Sequence, residues 1–387
     1  MENGKKGVHD PTIIQVGDKY YLFSTDTTQP ATSGVPIRQS DNLLDWEFVA
    51  SALPNVPVEA QKWTNAKGLW APEIIQVNDT YRMYYSASTF GSTTSMIGLA
   101  IAENILGPWE DAGEVVKTNS ELANHNAIDA NVCYDRQGNP WMVYGSFFGG
   151  IYLTRLNQRT GKCLFKGDYG KQLAIRSQAV EGAIEGPFIY YHPETDYFYL
   201  FLSFDSLNDT YNIRVARSKE IDGSYLDMNG QSLTDLTLAP DTVGTKLVGS
   251  YQWENEEPVY GPGHNSIFFD QKTKQLFVVH HKRRKPFTDE FSLQIRPLLW
   301  AEDGWPVVGV EEYDGEITIL ALCDELLGDW EWLVFQDHSD LIVSEKKNFK
   351  EQVAFEAGIF YQNKQKQIFF TGRTPSNHPV FGRKKVN

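Results

Sequence analysis

A chain of 387 residues has room for one large all-β domain or for two or three average ones, and its formal charge of −15 argues against nucleic acid, whose phosphates need a basic surface. Its three cysteines (Cys133, Cys163 and Cys323) are too few for a disulfide framework and read as buried free thiols. No apolar run approaches the roughly 20 residues of a membrane helix, and the opening MENGKKGVHDP has no apolar stretch of the kind a secretory signal carries.

Taken in chain order, the predicted elements repeat. The segments His9–Val16 (HDPTIIQV) and Trp70–Val77 (WAPEIIQV) share a proline and the run IIQV, and each leads through a polar turn into a Tyr-rich strand, Lys19–Phe23 and Tyr81–Tyr85. Further strands follow, such as Met96–Ile101. The pattern returns at Asp129–Val132, with a turn at Gln137–Asn139 and a strand at Trp141–Tyr144. It returns again at Glu185–Phe188 before Tyr197–Phe201, with a later strand at Asn212–Arg217, and at His264–Ile267 before Leu276–Val279. Helical periodicity is almost absent. Five all-β units of this length predict an all-β fold, a five-bladed β-propeller of about four strands per blade over residues 1–301. Residues 302–387 lack the repeat; Trp305–Val308, Glu316–Leu320, Trp330, Trp332 and Phe360–Tyr361 suggest a small C-terminal β-rich domain. The insertion at 221–257 forms either a wall or part of an open groove, and the basic run Lys282–Lys285 reads as a solvated loop.

Alignment on the first apolar strand residue (Ile13, Ile74, Val132, Phe188, Ile267) puts Asp10, Ala71, Asp129, Glu185 and His264 in equivalent places at one rim of the central channel. Carboxylates converging on one axis repel each other, so a purely structural repeat would carry small or apolar residues there, as it does at Ala71. Hydrolysis of a glycosidic bond needs such a group: one carboxyl protonated for the leaving oxygen, another ionised to activate water. Asp129 and Glu185 open consecutive blades. Asp10 faces them with room for a water, the arrangement of an inverting hydrolase.

These residues carry a resemblance. The set His9-Asp10-Pro11, Asn126–Asp129 and Glu185-Gly186-Pro187 resembles the glycoside hydrolase family 43 pattern, and within it the endo-1,5-α-L-arabinanases. Trp70–Glu73, Ser88–Ser92, Tyr144–Ile151 and Gly261–His264 match as well, so the resemblance covers residues 8 to about 300. It implies Asp10 as general base, Glu185 as general acid, and Asp129 as the group that sets the acid's pKa and orientation. It also implies Phe90, Gly91, Asn126, Ala127, Ile128, Ser146, Phe147 and Phe148 as sugar contacts, and His264 beside a calcium-like ion on the axis. A hard cation there would be held mainly by oxygens and waters, which makes one histidine an unusual ligand set. Trp70, Phe90 and Phe147 serve either sugar stacking or blade packing. Two features depart from the family: only nine residues precede Asp10, and Phe148 stands where many arabinanases have tryptophan.

The expected partners are arabinan and arabino-oligosaccharides, met by a monomer that is extracellular in its precursor form, with no nucleic acid or membrane involved. Two other readings stay open. An exo-acting arabinofuranosidase or β-xylosidase would keep the three carboxylates and block one side of the cleft. A propeller lectin would repeat its sugar site in every blade, whereas these rim residues differ from blade to blade.

Overall fold

The computed structural model describes residues 4–26, 34–285, 290–321, 327–349 and 357–385; Cys323 lies outside them. The first sheet is a meander of β1 (Val8–Val16), β2 (Lys19–Asp26), β3 (Val35–Ser40) and β4 (Glu47–Ala52). A short helix, α1 (Val58–Thr64), precedes the second: β5 (Trp70–Val77), β6 (Thr80–Ala87), β7 (Ser95–Ala102) and β8 (Glu110–Thr118). The third is β9 (Asn131–Tyr134), β10 (Pro140–Tyr144), β11 (Ile151–Arg155) and β12 (Lys171–Ala174). The fourth is β13 (Ile184–His192), β14 (Tyr197–Phe204), β15 (Asn212–Ser218) and β16 (Thr245–Val248). After β17 (Tyr251–Gln252) comes the fifth: β18 (Tyr260–Asp270), β19 (Gln275–Arg283), β20 (Phe291–Trp300) and β21 (Pro306–Val308).

The first strands lie side by side in a closed cycle: β1 against β5, β5 against β9, β9 against β13, β13 against β18, and β18 back against β1. The second strands explain why. Successive side chains point to opposite faces, and here both faces are buried. Phe23 packs with Met83 and Tyr85 of the second sheet, while its neighbour Leu22 packs with Phe277 and Val279 of the fifth. Tyr84 meets Met142 and Tyr144; Val143 meets Leu200 and Leu202; Phe201 meets Val278. Each sheet therefore shares one apolar core with each neighbour, which requires near-continuous apolar runs such as Tyr20–Phe23 in place of strict alternation.

Two segments differ from the sequence reading. Pro306–Val308 pairs with Leu298–Trp300 as the last strand of the fifth sheet, so this strand belongs to the repeat and not to the appended part. The basic run is not a loop at its start: Lys282 and Arg283 end β19, and Arg283 is buried with its guanidinium 4.1 Å from the Phe291 ring. Ahead of Asp10, Gly7 N–H donates to Phe291 O at 2.8 Å and Lys5 O accepts from Leu293 N–H at 3.0 Å, stitching this segment to β20.

The remaining strands are β22 (Ile317–Leu320), β23 (Gly328–Val334), β24 (Ile342–Val343), β25 (Glu345–Phe349), β26 (Ala357–Asn363), β27 (Ile368–Arg373) and β28 (Pro379–Lys384). Six of them form one sheet in the order β22-β26-β27-β28-β23-β25. Its Tyr361, Phe369 and Phe381 enter the core between the fourth and fifth sheets. The insertion joins it there: β17 pairs in parallel with β24, and Tyr251 and Trp253 are buried against it.

Candidate active site

At the start of four of the five first strands the ladder is broken. Pairing skips from His9 to Thr12, from Trp70 to Glu73, from Glu185 to Phe188 and from Gly263 to Ser266. Within each skip one residue turns left-handed, Asp10 (φ +50°), Ala71 (+40°), Gly186 (+58°) and His264 (+46°), and so does Asp129 (+62°) just ahead of β9. Four of these five are not glycine, at a cost of about 1–2 kcal/mol each, and the turned N–H groups are held from the neighbouring sheet. Ala71 N–H donates to Thr25 Oγ1 at 2.7 Å, Asp129 N–H to Ser86 Oγ at 3.0 Å and His264 N–H to Ser203 Oγ at 2.7 Å.

The fourth sheet corrects the alignment by one residue. Ile189 pairs with Leu200 as Ile13 does with Leu22 and Ile74 with Met83, so Gly186, not Glu185, is the equivalent of Asp10 and Asp129. Glu185 stands one residue earlier, where the other sheets have His9, Trp70, Ile128 and Gly263. A one-residue shift reverses the face a strand side chain points to, but the bulge re-aims this one onto the same rim. There Ser146 Oγ donates to Glu185 Oε2 at 2.8 Å, and Gly186 N–H donates to Asp129 Oδ2 at 3.2 Å.

Asp10, Asp129 and Glu185 are each less than a tenth exposed. His264 joins them, with its Nδ1 3.0 Å from Asp10 Oδ1. Their environments diverge. Burial pushes the Asp10 carboxyl up, but His264, His9 and the Thr25 hydroxyl (2.6 Å from Oδ2) together outweigh it and hold it below the usual range. Burial raises Glu185, and the bonds from Ser146 and Tyr211 only partly offset it. Burial also raises Asp129, helped by the nearby charges of Glu185 and Asp10. Burial lowers His264, yet the three carboxylates raise it more. The rim thus holds one carboxylate kept ionised beside two carboxyls that favour their protons, the split that acid–base catalysis of hydrolysis uses.

Asn126, Ala127 and Ile128 are buried just ahead of Asp129; Ala127 N–H donates to Thr118 Oγ1 at 3.0 Å, and Asn126 Oδ1 is a buried acceptor without a protein partner. Phe147 N–H donates to Ile184 O at 2.8 Å, which fixes the loop carrying Ser146, Phe147 (half-buried) and Phe148 (exposed) beside Glu185. Trp70, half-buried, precedes Ala71. Phe90, 86% exposed, and Gly91 stand in the loop after β6; among the described residues neither they nor Trp70 make a hydrogen bond or ring contact with the carboxylates.

Several residues were missed. His9 and His281 flank Asp10, with ring nitrogens 3.3 and 3.8 Å from Oδ1. Tyr211 donates to Glu185 Oε1 at 2.9 Å. The hydroxyls Thr25, Ser86, Ser146 and Ser203 recur at or just past the end of four of the five second strands, a signal readable in the repeat. One layer below the rim, the buried Glu73 accepts from Asn131 Nδ2 (2.7 Å), Val132 N–H (3.2 Å) and Thr12 Oγ1 (3.2 Å), tying together the first three sheets.

The sequence model of glycosyl hydrolases family 43 matches residues 5–306, all five sheets up to the first residue of β21. The chain belongs to this family. Within family 43 it is similar to the extracellular endo-α-(1→5)-L-arabinanase of Thermotoga petrophila, 35% identical over 365 residues, covering 84% of this chain and 75% of that protein. It is also similar to the extracellular exo-α-(1→5)-L-arabinofuranosidase of Cellvibrio japonicus, 32% identical, covering 80% of this chain and 89% of that one. The crystal structure of an endo-1,5-α-L-arabinanase from Thermotoga petrophila RKU-1 superposes with a TM-score of 0.83 and 31% identity over 99% of both chains. This chain is accordingly a glycoside hydrolase.

Proposed function

We propose that this protein hydrolyses internal α-1,5-L-arabinofuranosidic bonds of arabinan with inversion, on a five-bladed β-propeller to which the C-terminal sheet is appended. The observation that carries this reading is the opposed environment of Asp10 and Glu185 on one rim. Asp10, kept ionised, takes a proton from the attacking water, and Glu185, kept protonated, gives one to the leaving oxygen. Asp129, anchored by Gly186 N–H beside Glu185 and raised by burial like it, would orient the acid. Asn126–Ile128, Ser146, Phe147 and Phe148 line the approach, Asn126 Oδ1 being an acceptor a sugar hydroxyl would satisfy; Trp70, Phe90 and Gly91 would serve more distant sugar units. The family 43 relatives named extracellular support a secreted enzyme, and it is proposed to act as a monomer.

Calcium fits this rim only with help. A hard cation takes six to eight oxygens. His264 offers one imidazole nitrogen besides the Nδ1 facing Asp10, so waters would fill most positions. The cluster of described side chains spaced for a metal, His9, Asp10 and His281, has two nitrogens to one oxygen and would occupy the base itself. An ion beside His264 would supply positive charge against the three carboxylates.

The test is the product profile on linear arabinan beside an aryl arabinofuranoside. Mixed oligosaccharides early, with slow release from the aryl substrate, is the expected result; free arabinose from the start would favour the exo-acting reading that the Cellvibrio relative represents.

A further inference from the structure

Tyr211 is buried, and its ring lies nearly parallel to that of His281 with centroids 5.8 Å apart. A Cβ on Gly263 would come within 2.0 Å of that ring, so glycine is what leaves it this seat beside Glu185. Tyr211 is carried by the loop between β14 and β15, whose ends meet at Asp205 and Asn212. Asp205, left-handed at φ +71°, follows the strand that pairs with Glu185, and its N–H donates to Ala183 O at 3.1 Å.

These ends are closed by the C-terminal sheet. In the segment after β23, Ser339 Oγ donates to Asp205 Oδ2 and accepts from Asn212 Nδ2 at 3.1 Å; Asn212 Nδ2 also reaches Asp205 Oδ2 at 2.8 Å. The residues just before Ser339 are pinned by two buried cations of the fourth sheet. Lys246 Nζ donates to the carbonyls of Gln336, Asp337 and His338 at 2.7, 3.0 and 2.7 Å, and Arg214 Nη2 donates to Asp337 O at 2.7 Å. Taking a lysine out of water is costly unless its donors are met. Here three carbonyls of one turn meet them, which fixes that turn.

We propose that residues 336–339 are a remote support of the acid: they clamp the 205–211 loop so that Tyr211, a positioning residue, holds the Glu185 carboxyl in line with the leaving oxygen. The inference rests on the reading of Glu185 as general acid. Acid catalysis is sensitive to placement, because a displacement of about 1 Å can cost up to about a hundredfold in rate.

The experiment compares an arabino-oligosaccharide, whose leaving group needs a proton, with its 2,4-dinitrophenyl glycoside, whose leaving group does not. Tyr211→Phe and Ser339→Ala should lower kcat on the oligosaccharide about tenfold, a fraction of what a whole general acid contributes, and on the dinitrophenyl substrate less than about twofold, with KM unchanged. Ser339→Thr, which keeps the hydroxyl, should restore the rate. Ser339 is only half-buried, and a melting curve verifies that the variant is folded. Wild-type rates on both substrates, or an equal loss on both, would overturn the clamp. Glu185→Gln is the control that separates the two ideas: if it shows no difference between the substrates, the acid assignment fails instead.

Discussion

Replacing Glu73 with glutamine should change how stability depends on pH. Burial outweighs the hydrogen bonds from Val132, Asn131 and Thr12 and raises the Glu73 pKa from 4.5 to about 7. The folded state therefore holds a proton that the unfolded chain releases. The stability this contributes is fully present below pH 4.5 and is lost as the pH rises through about 7. At about 1.36 kcal/mol per pH unit the loss amounts to about 3 kcal/mol. Glutamine keeps the acceptor for Asn131 and Val132, can donate to Thr12, and has no proton to release. Urea unfolding of both proteins at pH 4.5, 6 and 8 measures the effect. The Glu73→Gln variant should gain about 3 kcal/mol relative to wild type across that range. A difference that stays constant with pH would refute the reasoning, because it would mean that the Glu73 pKa is the same in the folded and the unfolded chain. Glu73→Ala, which strands the buried Asn131 and Val132 donors, should cost about 1–3 kcal/mol for each at pH 4.5, and its total cost should shrink by about 3 kcal/mol by pH 8 as wild type loses that stability.

Asp10→Asn, Asp129→Asn and Glu185→Gln should each lower kcat on arabinan by about 10²–10⁴-fold with a native melting curve; near wild-type turnover in any one removes that residue from the mechanism. Exhaustive dialysis against a chelator should lower activity and melting temperature together, with calcium restoring both, because an ion bound to the folded state stabilises it by mass action; full activity in protein shown metal-free by elemental analysis would leave His264 as a partner of Asp10 alone. Gly263→Ala should displace the Tyr211 ring and lower kcat about tenfold or more, on the scale of a misplaced acid; an unchanged kcat would mean that the ring has room to move.

The repeat of four-stranded sheets was legible because their second strands are buried on both faces, so each sheet had to repeat the same apolar run. The rim acids were legible because they interrupt that run. Glu185 was found through an alignment one residue out of step, since Phe188 looks like Ile13 in sequence although Ile189 takes that place in the ladder. Trp305–Val308 was assigned to the wrong side of the boundary for a related reason: a three-residue strand has too little pattern to be told from its surroundings. Tyr211 and Ser339 were beyond reading. Ser339 lies 134 residues from Asp205 in the chain, and nothing local marks the contact.

The most direct test of inverting, endo-acting hydrolysis is proton NMR of linear arabinan during the first minutes of the reaction, before the anomers equilibrate. Attack by a water held at Asp10 on the face opposite Glu185 predicts that new reducing ends appear first as the β anomer, and that they sit on chain fragments. Reducing ends that appear first as the α anomer, or only as free arabinose, would contradict it.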